Sequence, residues 1–238
     1  MRFMCMHKAT PAMEAGEPPS EKLVAGIGPL LAEMTQAGIF ELGEGLLPSS
    51  HGVRLTFSGG TRTVTRGPLP GSNELIDRYL IVRVRSIDEA IDWATRFVGA
   101  SNDAEVDVRP VCEPWDVGFA PRPEGLATTR YMILHKSNAL SEAGNRRPYD
   151  AGLAGEMKRE GVLLAHEALM PSSRSARLRF RGDERKLLDG PFTESKELIA
   201  GFSILDLPST EEAVQWSTRF ANLIGDVEID IRPLYPQS

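Results

Sequence analysis

The segment SIDEAIDWATRF, residues 86–97, recurs as STEEAVQWSTRF at residues 209–220, and this recurrence decides the fold. The two segments lie 123 residues apart, and the same offset relates Gly38 to Gly161. A repeat of this length is too long for one turn of a solenoid and long enough for a small domain. The chain is therefore predicted to hold two copies of one domain.

Further matched residues keep the same offset along the rest of both copies. They include Glu44/Glu167, Pro48/Pro171, Arg54/Arg177, Gly67-Pro68/Gly190-Pro191 and Arg109-Pro110/Arg232-Pro233. Between the copies lies a stretch rich in Pro and Gly, which is typical of a connector. We therefore expect copy 1 at residues 1–112, a linker at residues 113–128 and copy 2 at residues 129–238.

Composition excludes several classes of partner. The 238 residues are 41% hydrophobic and 25% charged, with a net charge of −6. Nucleic acid and anionic lipid require clustered Lys and Arg, so neither is an expected partner.

The sequence predicts a cytoplasmic protein. No stretch has the roughly 20 apolar residues of a membrane-spanning helix, and the apolar run at the first residues is too short for a signal sequence. Cys5 and Cys112 have no counterpart in the other copy, which argues against a disulfide.

Copy 2 shows the order of elements most clearly. Residues 131–135 read as an opening strand, residues 149–160 as a helix ended by Gly161, and residues 162–165 as a second strand. Gly182-Asp183 lies between Arg177-Leu178-Arg179-Phe180 and Lys186-Leu187-Leu188 and predicts a β-hairpin. A strand at residues 199–207, a helix opened by Ser209 and a closing strand at residues 227–231 complete the copy.

The second helix of each copy has one apolar face. In copy 1 the residues at i, i+3, i+4 and i+7 spacing are apolar, which predicts a helix lying on a sheet. These residues are Ile87, Ala90, Ile91, Ala94, Phe97 and Val98. The predicted class is α+β, with two ferredoxin-like domains in tandem and antiparallel sheets that carry helices on one face. The bare face of each sheet favours pairing of the two copies as an intramolecular pseudo-dimer, with a cleft at the sheets; a homodimer of the whole chain is also compatible.

A nine-residue motif links copy 2 to a known family. Residues 189–197 read Asp-Gly-Pro-Phe-Thr-Glu-Ser-Lys-Glu and are followed by Gly201-Phe202. This resembles the signature of the YCII-related proteins, in the branch named for Asp-Gly-Pro-Phe, and the resemblance covers both copies. It implies a fold of the dimeric α/β barrel type, here built from tandem domains. Relatives include enzymes that act on small ring-derived metabolites and proteins encoded beside sigma factors.

The chain departs from that family in two respects. Short relatives are thought to pair a His on the first helix with an Asp in the motif, yet neither candidate first helix, residues 20–37 or 149–160, contains a His. Copy 1 has Arg66 where copy 2 has Asp189, and a guanidinium cannot act as an acid or a base. A catalytic role for the motif carboxylate is therefore restricted to copy 2.

Two histidines at matched strand ends are the main catalytic candidates. His7-Lys8 and His135-Lys136 end the opening strands. By alternation His135 lies on the same apolar sheet face as Tyr131 and Ile133, and His7 lies on the same face as Phe3 and Cys5. We expect His135 to be a general acid or base oriented by Asp189 or Glu167. The alternative is a structural His that hydrogen-bonds a loop at the strand end.

The remaining candidates are charged residues that could line a cleft. Asp189 either shapes its Gly-Pro turn or is catalytic. Glu44 and Glu167 follow a strand in each copy and either line the cleft or are solvated. Arg177 either anchors an anionic substrate or pairs across strands with Glu167, as Arg54 would with Glu44 in copy 1. We group Arg177, Glu167, His7 and Glu44 as substrate-binding candidates.

Two functions from different classes remain open. The first is a cofactor-free lyase or isomerase that moves a proton on a small anionic or enolisable molecule through His135 and Asp189. The second is a non-catalytic regulatory, ligand-sensing or protein-interaction module. Neither a metal site nor a cofactor is expected, because the four His residues lack ligand spacing and no Gly-rich phosphate loop is present.

Overall fold

The computed structural model describes residues 1–99, 103–145, 150–192 and 195–236. Twelve β-strands lie in this part of the chain. They are β1 (Arg2–Lys8), β2 (Phe40–Leu46), β3 (Val53–Ser58), β4 (Thr61–Arg66), β5 (Ile76–Val84), β6 (Ala104–Cys112), β7 (Thr129–Lys136), β8 (Leu163–Ala168), β9 (Ala176–Arg181), β10 (Glu184–Asp189), β11 (Ile199–Asp206) and β12 (Val227–Pro233).

Six α-helices accompany the strands. They are α1 (Pro11–Glu14), α2 (Glu21–Gln36), α3 (Ile87–Val98), α4 (Ala139–Glu142), α5 (Ala151–Arg159) and α6 (Thr210–Ile224). Ser86 and Ser209 cap α3 and α6 by accepting from the backbone N–H of Glu89 and Glu212. The carboxylate of Glu89 accepts from the backbone N–H of Arg85, one residue before the cap.

The chain divides into two compact units. Unit 1 contains Met1–Gly45 and Leu169–Ser238, and unit 2 contains Leu46–Ala168. The strands of unit 1 pair in the order β10-β9-β12-β1-β11-β2. Those of unit 2 pair in the order β4-β3-β6-β7-β5-β8. All of these pairings are antiparallel, so the predicted α+β class is observed, and corresponding strands of the two repeats take corresponding places.

Each unit draws its strands from both sequence repeats. The first strand of the chain, β1, lies between β11 and β12 of the second repeat. Likewise β7, which opens the second repeat, lies between β5 and β6 of the first. Each unit thus combines the first two strands of one repeat, and the helix between them, with the hairpin, the last two strands and the second helix of the other repeat.

The compact units therefore differ from the expected boundaries 1–112, 113–128 and 129–238. Those boundaries describe the sequence repeats, whereas the folded units divide after Gly45 and after Ala168. Residues 113–128 connect β6 to β7, which are antiparallel neighbours in one sheet. A short connection between adjacent strands costs little closure entropy, which favours this pairing of otherwise equivalent strands.

One face of each sheet carries the hydrophobic core. In unit 2 the core joins the strands to α3 and α5 through residues such as Ala90, Ile91 and Met157. In unit 1 it joins them to α2 and α6 through Met34 and Ala213. Helices thus cover the same face of each sheet that the apolar residues occupy, as the sequence pattern predicts.

The repeated Gly-Pro turn packs tightly against a 3₁₀ turn. A Cβ built on Gly67 would lie 1.8 Å from the carbonyl oxygen of Ser49, and one on Gly190 would lie 1.7 Å from that of Ser172. The hydroxyl of Ser49 accepts from the backbone N–H of Leu69 at 3.0 Å. This close backbone contact explains why both copies have Gly here, whether or not an Asp precedes it.

Replacing Gly67 by alanine should destabilise the protein by roughly 3 kcal/mol or more, because the methyl group must displace backbone. Gly155→Ala, in α5 of the same unit, is the matched control, since its Cβ would meet only the end of the Arg159 side chain at 3.4 Å. That change should stabilise by about 0.5–1 kcal/mol through helix propensity. Urea unfolding of both variants measures the difference; equal midpoints would contradict the packing account.

The strand exchange can be tested with the native Cys5, whose Cα pairs with that of Ile231 in β12. If β1 paired within its own repeat, its partner would be Val108, at the corresponding position of β6. In a Cys112→Ser background, refolding in a glutathione redox buffer, which reaches both thiols before the core closes, should cross-link Cys5 to an Ile231→Cys cysteine, because cross-strand neighbours lie within disulfide reach. Mass spectrometry identifies the linked peptides. Efficient cross-linking in the Val108→Cys variant instead would refute the exchange.

Candidate functional site

A buried His–Asp pair lies at one end of the sheet in unit 2. Nδ1 of His135, near the end of β7, is 2.8 Å from Oδ1 of Asp77, near the start of β5. Both residues are almost fully buried, with 3% and 7% of their surface exposed. The carboxylate holds the ring in a fixed orientation, as in His-based catalytic pairs.

A β-bulge brings the carboxylate to the histidine. In the β5–β7 ladder Ile76 pairs with Lys136 and Arg78 pairs with His135, which leaves Asp77 as the extra residue of β5. Bulges commonly redirect a side chain in this way. Nothing in the local sequence pattern signals the bulge, so Asp77 was not among the predicted site residues.

The neighbours of the pair stabilise the carboxylate in its charged form. Nε of Arg78 lies 3.2 Å from Oδ1 of Asp77, and the ring of Phe97 from α3 meets His135 edge-on at 6.2 Å. Burial alone would raise the pKa of Asp77, but the hydrogen bond and charge of His135, together with Arg78, hold that pKa below its ordinary value. The site therefore holds a buried, ionised carboxylate that orients the imidazole ring of His135.

Unit 1 has the histidine without the carboxylate. His7 occupies the place of His135, and its ring meets Phe220 at 5.2 Å. At the offset of 123, Ala200 stands where unit 2 has Asp77 and Gly201 where it has Arg78. A Cβ on Gly201 would lie 2.5 Å from Cε1 of His7, so the ring fills this space. Although His7 keeps some accessible surface, burial of the ring lowers its pKa to about 4.

The opposite sheet face of unit 2 carries a buried ion network. Arg54 binds Asp107 through two hydrogen bonds, of 2.7 and 2.9 Å, and also contacts Glu74 at 2.9 Å. Lys136 lies 2.9 Å from Asp107 and forms a close ion pair with Glu74. Burial would raise the pKa of Asp107, but Lys136 and Arg54 hold it below its ordinary value. Four charges thus neutralise one another.

Unit 1 has a related network with different neighbours. Arg177 binds Asp230 at 2.5 and 3.0 Å, and Nζ of Lys8 lies 3.0 Å from the same carboxylate. The guanidinium of Arg177 lies over the ring of Phe192, 4.2 Å from its centre. The Phe of the Asp-Gly-Pro-Phe motif therefore packs on a buried arginine, a contact of the cation–π type. Glu197, the counterpart of Glu74, is exposed instead.

The predicted site residues are divided between the units and between sheet faces. His135 and Glu167 belong to unit 2; His7, Glu44, Arg177 and Asp189 belong to unit 1. Glu167 pairs with Tyr79, one position from the Ala168–Arg78 pair, so by alternation it projects from the face opposite His135. The carboxylate beside His135 is Asp77, in place of the expected Asp189 or Glu167.

The other candidates have partners within the fold. Asp189 ends β10 and is exposed, opposite Ala176 in the ladder. Arg177 takes the predicted cross-strand pairing, but with Asp230 rather than Glu167, and Glu44 lies opposite Phe202. Sequence reasoning missed Asp107 and Asp230 as partners of Arg54 and Arg177. The two aspartates lie at the repeat offset of 123, each on the strand next to its arginine, and this could have indicated both ion pairs.

The described residues contain no group of three or more His, Cys, Asp or Glu side chains placed to hold a metal ion. Among the described helices, none is long and apolar enough to cross a membrane. The thiol of Cys5 is buried, and burial raises its pKa to about 11 despite nearby Ser217 and Ser203. Cys5 is thus a packing residue rather than a nucleophile.

Comparison with known proteins finds one domain family and a relative whose name states no activity. The YCII-related domain matches residues 1–113 and 129–227, once in each repeat. An uncharacterized protein of Rhizobium meliloti (strain 1021), R00369, is 31% identical over 93 residues, which cover 39% of this chain and 68% of that protein. No solved structure matches significantly.

The lowered pKa of His7 should make stability depend on pH. The unfolded chain binds a proton with the ordinary pKa of about 6.5, whereas folded His7 does so only near 4. Stability is therefore complete above about pH 6.5 and is lost as the pH falls toward 4. His7→Gln should reduce the loss in unfolding free energy between pH 7 and pH 4.5 by about 1–2 kcal/mol.

Urea unfolding of the wild type and of His7→Gln at both pH values measures this effect. His51→Gln is the control, because His51 is exposed. An equally steep pH dependence in the wild type and the His7 variant would contradict the assignment.

Proposed function

This chain belongs to the YCII-related domain family, and we propose that it is a cofactor-free enzyme, a lyase or isomerase, that moves a proton on a small enolisable molecule. The reacting group is His135, with Asp77 as its orienting carboxylate. The observation that carries the proposal is the 2.8 Å contact between Nδ1 of His135 and Oδ1 of Asp77 in a buried setting. The finer assignment to the Asp-Gly-Pro-Phe branch, with its dimeric α/β barrel type of fold, is part of the proposal and rests on residues 189–197.

The chemistry follows from the direction of the hydrogen bond between His135 and Asp77. A carboxylate that accepts from Nδ1–H leaves the lone pair on Nε2, which is then available as a base. When Nε2 takes a proton, the imidazolium is stabilised by the adjacent Asp77 anion, and the proton can return to a different atom of the substrate. Arg78, 3.2 Å from the same carboxylate oxygen, keeps Asp77 ionised through the cycle.

Divergence of the repeats supports a single active pair. Unit 1 lacks the carboxylate, because Ala200 replaces Asp77, and its His7 has a pKa of about 4. A histidine of such low pKa is a weak base, which fits loss of one of two ancestral sites after duplication. In the proposal Asp189, exposed at the end of β10, shapes its turn, and Arg177 stabilises the sheet rather than a substrate.

A non-catalytic ligand-sensing module is the second candidate. It is favoured by one observation: His135 exposes only 3% of its surface, so a substrate must reach Nε2 through a movement of its surroundings. A sensor would use the same buried pair to stabilise the fold and would show no turnover.

Proton abstraction can be measured without knowing the product. The protein is incubated in D₂O with a panel of small 2-oxo acids, ketones and lactones, and ¹H NMR follows the loss of α-proton signals. We expect catalysed exchange by the wild type and a decrease of about 100-fold or more in Asp77→Asn, which keeps the shape of the side chain but removes the anion.

Asp189→Asn is the matched control and should exchange at the wild-type rate. Asp77→Glu, which retains a carboxylate, should recover part of the activity, and circular dichroism checks that each variant is folded. Equal rates for the wild type and a folded Asp77→Asn would refute the proposed role of the pair. No exchange with any compound of the panel would favour the sensor.

A further inference from the structure

The edge strand of unit 1 is exposed along its whole length. Among the described residues β10 pairs with β9 alone, and all six of its residues are exposed. They include Leu187, with 54% of its surface exposed, and Leu188, with 37%. An exposed edge strand offers unpaired backbone groups to another strand, and proteins usually protect such edges with charge. The side chains of β10 therefore decide what can pair with it.

The backbone of β10 fixes which residues face the free edge. The N–H of Gly190, just after the strand, donates to the carbonyl of Ser175 at 2.9 Å, on the β9 side. In an antiparallel ladder, successive residues direct their N–H and C=O groups to opposite edges. Arg185, Leu187 and Asp189 therefore present these groups at the free edge.

These three residues are complementary to the same residues of a second copy. A twofold axis at Leu187 places that residue against Leu187 of the second copy. It also places Arg185 of each copy against Asp189 of the other, so that opposite charges lie side by side on one sheet face. Each of these pairs exchanges two backbone N–H···O bonds. The edge is thus matched to itself in both backbone and charge.

The three side chains continue the core face of unit 1. In the β9–β10 ladder Leu187 lies opposite Leu178, and Arg185 lies opposite Phe180. Leu178 and Phe180 both belong to the buried core. The guanidinium of Arg185 lies over the ring of Phe180, 4.1 Å from its centre, and donates to the carbonyl of Gly182 at 2.7 Å. A second copy would cover the exposed Leu187 and extend the apolar face across the axis.

The corresponding edge of unit 2 lacks this complementarity. At the offset of 123, the counterparts of the three residues are Arg62, Val64 and Arg66 in β4. They face the free edge in the same way, since the N–H of the residue after β4 also bonds toward β3. Self-pairing about Val64 would place Arg62 against Arg66 of the second copy, and like charges directly opposite are destabilising. Asp189 stands where β4 has Arg66, so this one residue distinguishes the two edges.

We propose that two copies of this chain associate through β10, antiparallel and centred on Leu187, so that the two copies of unit 1 form one continuous sheet. Asp189, besides shaping its turn, then specifies the partner strand through Arg185 of the second copy. Interfaces of standard size use about 20–30 residues a side, so this short edge gives a weak, reversible dimer with a dissociation constant of about 10–100 µM. The contact lies in unit 1 and the His135–Asp77 pair in unit 2, so the inference is independent of the proposed reaction.

Sedimentation velocity of the full chain from about 2 to 500 µM measures the association. Asp189→Arg, which gives β10 the charge pattern of β4, should raise the dissociation constant about tenfold or more, and so should Arg185→Asp. The double variant Arg185→Asp/Asp189→Arg restores opposite charges and should return the constant to within about threefold of the wild type. Val64→Lys, on the exposed edge of β4, is the matched control and should leave it unchanged.

A cross-link tests the register. In a Cys112→Ser background, Leu187→Cys should form a disulfide-linked dimer on mild oxidation, because opposite Cα atoms of a ladder lie about 5.5 Å apart. Cys5 is buried and stays out of the reaction. Val64→Cys, also at an exposed position of an edge strand, should cross-link at least about tenfold more slowly, since no partner strand holds it in place.

Three results would overturn the proposal. They are a monomer at every concentration up to about 500 µM, a dimer whose dissociation constant is unaltered in folded Asp189→Arg, and failure of the double charge exchange to recover association. Circular dichroism checks that each variant is folded, and Arg185→Asp tests the same pair if Asp189→Arg does not fold. Failure of the deuterium-exchange experiment would leave these measurements unaffected, since they report on unit 1.

Discussion

The hydrogen-bonded ladders on either side of β1 and β7 are the constraint on which the structure depends. Each of these strands is flanked on both sides by strands of the other sequence repeat. A central strand satisfies two rows of backbone donors and acceptors, and its removal would leave two edges unpaired. Neither unit is therefore complete without strands from both repeats.

This arrangement places chemistry on both faces of each sheet. The face beneath the helices holds the hydrophobic core and, at its end, the histidine of β1 or β7. The opposite face holds Arg54–Asp107 in unit 2 and Arg177–Asp230 in unit 1, each with a lysine from the exchanged strand. Buried ions cost desolvation and stabilise only when well paired. The lysines thus tie the exchanged strand to its neighbours through charge as well as through the backbone.

The two repeats differ at many aligned positions, and a small subset of these differences carries the functional argument. Asp77 and Arg78 correspond to Ala200 and Gly201, so among the described residues a buried carboxylate lies beside the histidine in unit 2 and not in unit 1. Thr56 corresponds to Arg179, so unit 1 has a further cation paired with Glu228, the counterpart of Glu105. The first difference places the buried His–Asp pair in unit 2. The intact Asp-Gly-Pro-Phe motif lies in the other unit, where its Phe192 packs on Arg177.

The sequence by itself determined the repeat, the α+β class, the order of strands and helices along the chain and the helix cap at Ser209. These follow from local periodicity and turn chemistry, which act over a few residues. It also pointed to His135 and to an Arg paired across strands. Only the tertiary structure decided which repeat supplies each strand, because the two repeats offer equivalent edges. The same holds for the partner of His135: a one-residue bulge selects Asp77, and no local pattern encodes it.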